Sequence, residues 1–421
     1  MRAVSILFAV ALFCHAQPAQ DVTALTSQAE QLIRSGRAQE ALATLNKAEQ
    51  LQPRSADTQD KIGFLYAVLN RREEALDRFQ ESVALDANYA PAHYHLGVAY
   101  WLANDQKGAI REMEQAVRLS PANAEYRFRL GSAYRQTGDL DEAVRELKQV
   151  TSLQPADPRA WIELGHARAA QNDLGGAVDA YGRAIALKPE DDDTRNDYGL
   201  QLVQTRQADK GIEEFNRILA HNPRNATARM NLGYAHLLRG EFAEAAKEYR
   251  AALEIDPKLA GAHYDLGLAL KQQDQLETAR KEFAEAARLD PTMAEAHYTL
   301  GITDWQIGDF QGTIDQMRAA LSIRPDYAQA HYMLGIALKQ SGDPDRAIPE
   351  LQQAIRLDPS TPGPYNTLGQ IYRAKGDKQA SEEMFATGAR LKREKEAQLS
   401  NRLDQGMSEV MSSRPLAAKT H

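Results

Sequence analysis

Apolar side chains recur along this chain at steps of three and four, in blocks separated by short turns. That spacing places them on one face of a helix. In residues 90–123, Leu96 and Tyr100 belong to a first block, and Ile110, Met113, Ala116 and Val117 to a second. The paired blocks repeat. Glycine falls at Gly63, Gly97, Gly131, Gly165, Gly199, Gly233, Gly267, Gly301, Gly335 and Gly369, each step being 34 residues. With that glycine as the eighth position, the units run 22–55, 56–89, 90–123, 124–157, 158–191, 192–225, 226–259, 260–293, 294–327, 328–361 and 362–395, with Ala29 replacing the glycine in the first. One hairpin cannot cover its own apolar face, so eleven such units predict an all-α solenoid in which stacked neighbours complete the core.

Three further positions define each unit. Twelve residues after the glycine the side chain is small, as at Ala41, Ala75, Ala109, Ala143, Gly211, Thr313 and Ser381. Small residues at paired positions let two helix axes approach toward the low end of ~8–10 Å. Seven residues after the glycine comes a turn: Gly36, Asn70, Asn104, Gly138, Asn172, Arg206, Gly240, Asp274, Gly308, Gly342 and Gly376. All but Arg206 are types that tolerate the left-handed conformation at a helix end. Nine units then close on a proline, from Pro53 to Pro359, and a proline disfavours helix in the residue before it. The unit 192–225 departs most, with Tyr198 before its glycine, Arg206 at the turn and Gly211 at the small position. It reads either as a hinge between two halves or as ordinary drift.

These residues resemble the tetratricopeptide repeat family. The stretches AHYHLG (92–97), AWIELG (160–165), AHYDLG (262–267), AHYTLG (296–301) and AHYMLG (330–335) are similar to its first helix. EALDRFQESVALDA (74–87) and EAAKEYRAALEIDP (244–257) are similar to its second. The resemblance covers 22–395. It implies a right-handed superhelix of antiparallel helix pairs whose concave face, lined by first helices, holds a peptide or protein segment.

The termini follow other patterns. Arg2, the apolar run Ala3–Cys14 and the small Ala16 predict a secretory signal peptide over 1–16, and so a secreted or periplasmic protein. The apolar run is shorter than the ~20 residues of a membrane span. Cys14 is the only cysteine, so no disulfide is expected. Arg393 stands where the last unit's proline belongs, and Leu399, Leu403, Met407 and Val410 share one face. This predicts a capping helix over 396–412, or a helix that docks on another protein, followed by a tail at 413–421.

Composition narrows the function. The net charge of −8 argues against nucleic acid as a partner, which needs a basic face. No H-E-x-x-H, G-x-x-x-x-G-K-[ST], G-x-S-x-G or G-x-G-x-x-G motif occurs, so neither an enzyme nor a cofactor or metal site is expected. His93, His263, His297 and His331 share position four, and Trp161 occupies the same place in its unit. Neighbouring units are too far apart to share an ion at ~2.1 Å, so these side chains are expected to pack.

Positions five, nine and twelve of each first helix form a separate stripe, which the resemblance assigns to the groove. One segment of it holds Tyr94, Trp101, Phe128, Arg135 and Ile162. The other holds Tyr264, Lys271, Tyr298, Trp305, Tyr332 and Lys339. Aromatics and arginine are common interface anchors, and the basic residues suit a ligand with acidic groups. Trp101 and Trp305, at the far end of the stripe, are expected to be its wetter members. The tyrosines have a second reading, as packing against the next unit's first helix. The chain is therefore expected to be a non-enzymatic scaffold or adaptor for a protein or peptide. The alternative is an architectural part of a cell-envelope secretion, polysaccharide-export or assembly complex. The lysine of a chaperone-tail clamp at position five is absent, and an asparagine ladder at position six is reduced to Asn231.

Overall fold

The computed structural model describes residues 17–412, with side chains described for 22–398. Among the described residues it is built of helices joined by short turns, with no strand. The chain divides into two compact bodies, Met1–Gln207 and Ala208–His421, and the boundary falls between the two helices of the unit 192–225.

The N-terminal body holds the hairpins α1 (Gln17–Arg34) and α2 (Ala38–Leu51), α3 (Ala56–Val68) and α4 (Arg72–Leu85), and α5 (Ala90–Leu102) and α6 (Gln106–Leu119). It continues with α7 (Ala124–Thr137) and α8 (Leu140–Leu153), α9 (Pro158–Ala170) and α10 (Leu174–Leu187), and ends on α11 (Asp192–Gln204). The C-terminal body begins with α12 (Ala208–His221), then α13 (Ala226–Leu238) and α14 (Phe242–Ile255), and α15 (Ala260–Lys271) and α16 (Leu276–Leu289). It closes with α17 (Ala294–Ile307) and α18 (Phe310–Ile323), α19 (Ala328–Gln340) and α20 (Pro344–Leu357), and α21 (Pro362–Ala374) and α22 (Lys378–Ser412).

Local chemistry sets these boundaries. All eleven turn positions have positive φ, from 58° at Asn70 to 90° at Gly138, and Arg206 adopts 63° like the rest. Left-handed geometry at a residue bearing Cβ costs roughly 1–2 kcal/mol, so Arg206 carries strain that Gly240 does not. Second helices stop two residues before each proline. α4 stops at the same place although Ala87 stands in the proline's position. There Asp86 takes an extended backbone and its Oδ1 accepts from the Asn88 N–H at 2.9 Å. Where Arg393 replaces the proline, α22 runs unbroken to Ser412. The side chains of Leu399, Leu403, Met407 and Val410 lie outside the described ones, as do all of residues 1–16 and 413–421.

The recurring glycine admits a large side chain sixteen residues later, a partner the sequence reading did not identify. A Cβ on Gly165 would come within 2.6 Å of the Tyr181 ring, and on Gly267 within 2.6 Å of the Phe283 ring. Met113, Leu147, Met317 and Leu351 fill the same place against Gly97, Gly131, Gly301 and Gly335. The expected small residue contributes its backbone: a Cβ on Gly97 would lie 3.0 Å from the Ala109 carbonyl oxygen. Where that residue has a hydroxyl, it donates to the glycine carbonyl, as from Thr313 to Gly301 at 3.1 Å and from Ser381 to Gly369 at 2.9 Å.

First helices of successive units also touch one another, as in α3 with α5, α7 with α9, α13 with α15, and α17 with α19. Among the described residues no two successive second helices meet as extensively. Within each body the first-helix face is thus the inner, more crowded one.

Candidate functional site

Position four joins each unit to the one before it. His93, His263 and His331 place Nδ1 at 2.6–2.7 Å from a second-helix carboxylate, on Glu112, Glu282 and Glu350 respectively. Their Nε2 atoms face backbone carbonyls at the end of the preceding unit, those of Ala87, Pro257 and Pro325, at 3.0–3.2 Å. Trp161 donates from Nε1 to the Pro155 carbonyl at 2.9 Å, and Arg127 from Nε to that of Pro121 at 2.6 Å. Unlike residue types thus satisfy the same terminal carbonyl, which a helix end leaves unpaired. Among the described residues no group of three His, Cys, Asp or Glu is arranged to hold a metal.

The position-five rings are half-buried; Tyr94, Tyr264 and Tyr332 lie against the following unit, and Tyr298 against Tyr327, the last residue of its own unit and the cap of α19. Tyr94 stacks on Tyr126, with centroids 4.6 Å apart and planes at 23°. Tyr264 Oη lies 3.4 Å from Thr299 Oγ1, and the Tyr298 ring is 4.8 Å from that of Tyr327. Tyr332 covers Gly363 so closely that a Cβ there would meet Oη at 2.5 Å. Phe128 packs into the core beside Leu130 and Leu164, under the Arg159 guanidinium at 5.5 Å, while Ile162 is half-buried.

The tryptophans are half-buried, as the position-five rings are. Trp101 packs against the cluster around Met113 and Leu130, and Trp305 against that around Ile314 and Met317, 5.0 Å from the Phe310 ring. Phe310 lies in the first turn of α18 and shelters Trp305, whereas Ala67 and Arg373, at the same position of other units, are exposed. The large apolar side chains most exposed at this end are one residue further on: Leu102 at 63 %, Leu238 at 56 % and Val68 at 55 %.

The basic residues of the stripe are partly committed. Arg135 Nε donates to Glu163 Oε2 at 2.9 Å, and Lys339 Nζ donates to Gln370 Oε1. Lys271 makes no ion pair among the described residues, and burial lowers its pKa. Arg135 begins a charged chain across three first helices. His166 lies 3.9 Å from Glu163 Oε1 by Nδ1 and 3.1 Å from Asp197 Oδ2 by Nε2. The hydrogen-bonded Asp197 carboxylate and then the nearby Glu163 outweigh burial and push its pKa up to about 9. Burial works to raise Glu163, but His166 and Arg135 hold it below the usual range.

A cavity of about 390 Å³ lies between the first helices α3 and α5 and the second helix α4, whose first turn contributes Arg72 and Glu73. Phe64, Phe79, Tyr94, Val98 and Leu102 make it apolar, and Phe64 and Leu102 leave its mouth exposed. His95 sits among Phe64, Phe79 and Tyr94, with ring centroids 5.3–5.8 Å away. Its Nδ1 lies 2.7 Å from the buried Asp60 carboxylate, which fixes the ring. Only Tyr94 of the eleven stripe residues named from the sequence lines this cavity. Phe64, at position nine of its unit, was the available signal.

Stacked antiparallel helix pairs with an inner first-helix face define an α-solenoid, a scaffold class that works by presenting surface. The sequence comparisons give the family. Residues 146–259 match the model described as cytochrome c-type biogenesis protein H TPR domain. Tetratricopeptide repeat models match 63–124, 101–164, 248–281, 304–361 and 363–395. The chain belongs to the tetratricopeptide repeat family, whose repeats support a protein-interaction scaffold in general. None of the curated proteins matches the sequence. Among solved structures, one titled "Crystal structure of MamA protein" is 27 % identical over 41 % of this chain and 94 % of that one, with a TM-score of 0.39. Yeast Tom70 is 14 % identical over 94 % and 97 %, with a TM-score of 0.44. A Naa15/Naa10 complex bound to HypK-THB is 16 % identical over 88 % and 63 %, with a TM-score of 0.42.

Proposed function

We propose that this chain is a non-enzymatic adaptor that holds a protein or peptide segment along its first-helix face. The observation that carries the reading is the apolar cavity between α3, α4 and α5. Phe64 and Leu102 stand 38 % and 63 % exposed at its mouth, while the surrounding side chains are packed. A cavity of ~300–1,000 Å³ suits an anchoring group, and an aromatic or leucine side chain fits a lining of this kind. Tyr264, Tyr298, Trp305 and Tyr332 offer a second stretch of half-buried rings in the C-terminal body.

We place the protein in the cell envelope, secreted or periplasmic. The signal-like residues 1–16 and the match of 146–259 to a cytochrome c biogenesis domain support this. Among the described residues no helix is long and apolar enough to cross a membrane. That same match favours a second reading, an architectural part of an envelope assembly. The test is co-purification from the native envelope with Phe64→Ala/Leu102→Ala and with Tyr298→Ala/Trp305→Ala/Tyr332→Ala. Loss of a specific companion in either variant supports the adaptor reading. Retention of every companion in both ends it, and loss only on deleting 396–421 favours the architectural role.

A further inference from the structure

The chain Arg135–Glu163–His166–Asp197 has a counterpart 68 residues on, two full units along the repeat. The counterpart keeps one of the two carboxylates and loses the histidine. Asp265 corresponds to Asp197 and Tyr249 to Tyr181, but Tyr234 stands for His166 and Asn231 for Glu163. In the first site the Asp197 carboxylate meets His166 at 3.1 Å, and the His166 ring lies 5.6 Å from that of Tyr181. In the second, on α13, α14 and α15, Asp265 makes no hydrogen bond or ion pair among the described residues. Lys271 is six residues and about 9 Å further along the same helix, and the two form no ion pair. Beside Asp265, the phenol of Tyr249 is fully buried and its Oη has no hydrogen-bond partner. Asp265 and Tyr234 both lie near enough for their charges to raise the pKa of that phenol, after burial itself.

A partly buried carboxylate without a cation, next to an orphaned hydroxyl, is an incomplete site. Holding a half-buried carboxylate without a counter-charge is costly, and a charged donor supplies what Asp265 lacks. We propose that Asp265, beside the phenols of Tyr234 and Tyr249, receives a lysine or arginine side chain from a bound protein segment. The carboxylate accepts from the cation's N–H groups, and the half-buried ring of Tyr234, unlike the enclosed Tyr249, offers a π face of the kind that attracts a desolvated cation. Burial already pushes the Asp265 carboxyl up to about 6, the mark of a charge held without its counterion. The inference rests on the reading that a protein segment lies along the first-helix face, and it specifies the chemistry of one of that segment's side chains.

The test uses the full chain and a small probe. N-acetyl-arginine amide and its neutral analogue N-acetyl-citrulline amide are compared by saturation-transfer NMR at about 10 mM, well above a ~1 mM dissociation constant. The wild type should favour the arginine probe at least about fivefold. Asp265→Asn should remove that preference, and Asp197→Asn, whose carboxylate is already paired, should leave it intact. Equal signals for the two probes in the wild type, no signal for either, or a preference that survives Asp265→Asn would overturn the inference. The adaptor reading fails separately. Envelope companions captured by a wild type that shows no arginine preference would sink this site alone. An arginine preference with no companion lost in any first-helix-face variant would sink the adaptor reading alone.

Discussion

Replacing Gly267 by alanine tests the packing rule that holds every unit together. On helix propensity alone the change should stabilise, because glycine inside a helix costs roughly 0.8–1.0 kcal/mol relative to alanine. The structure reverses the sign. The new Cβ would sit 2.6 and 2.7 Å from two carbons of the Phe283 ring, against an ordinary limit near 3.4 Å. The ring would have to retreat by about 0.7 Å. Phe283 is 0 % exposed, in a cluster with Tyr249, Leu266, Leu270 and Leu300, and interiors at crystal-like density have no such slack. Overpacking of this kind costs about 1–3 kcal/mol, leaving a net loss of up to roughly 2 kcal/mol. Gly175→Ala, with nothing within 4 Å of the added methyl, should instead gain up to about 1 kcal/mol. Repeat arrays can unfold in stages, so amide hydrogen exchange in α15 and α16 is the better assay. Protection there should fall by about tenfold for each 1.4 kcal/mol lost. Combining Gly267→Ala with Phe283→Leu should cost less than the two changes added. Equal or greater protection in Gly267→Ala alone would refute the reasoning.

Other consequences are open to measurement. Arg206→Gly should stabilise the N-terminal body by about 1 kcal/mol by relieving a left-handed backbone, read as slower exchange in α11. His166 has its folded pKa raised to about 9, so its contribution is complete below the unfolded value near 6.5 and is lost as pH rises through 9. Allowing for its partial exposure, the loss is about 1 kcal/mol, seen as a fall in Tm between pH 7 and 10 that His166→Gln should abolish. Asp265 behaves oppositely to a salt-bridged carboxylate: with its folded pKa raised to about 6, stability is lost as pH rises from ~4 through 6. Asp265→Asn should therefore raise Tm at pH 7, by up to about 2 kcal/mol of stability, and change it little at pH 4.

Much of the fold can be read in the chain because its determinants are local. A left-handed turn at Gly138, a proline two residues past Leu153 and a glycine at 131 each act within one hairpin. The partner of that glycine, Leu147, is harder to see, since Phe79, Tyr181, Met113 and Leu147 share size and not chemistry. Position four hides its role for the same reason. His93, Arg127 and Trp161 have in common only an N–H that reaches a carbonyl six residues back. The candidate site is less legible still. Whether a position-five ring is free depends on distant residues: Tyr126 of the next unit covers Tyr94, and Tyr327 at the end of the same unit covers Tyr298. The cavity beside Tyr94 needs Phe64 and Leu102 from two units, and the solitary carboxylate of Asp265 emerges only against the paired Asp197.

The account stands or falls on whether the first-helix face engages a protein. The most direct measurement is quantitative capture of envelope proteins by the wild type, by Phe64→Ala/Leu102→Ala, and by a control variant altered on exposed second-helix residues such as Arg111→Ala/Arg118→Ala. Both variants must keep the helical signal of the wild type. The account predicts at least one companion held by the wild type and the control and depleted about tenfold or more by the cavity variant, the loss expected when a ~1.4 kcal/mol anchor is removed. The same companions at the same abundance in all three would contradict it.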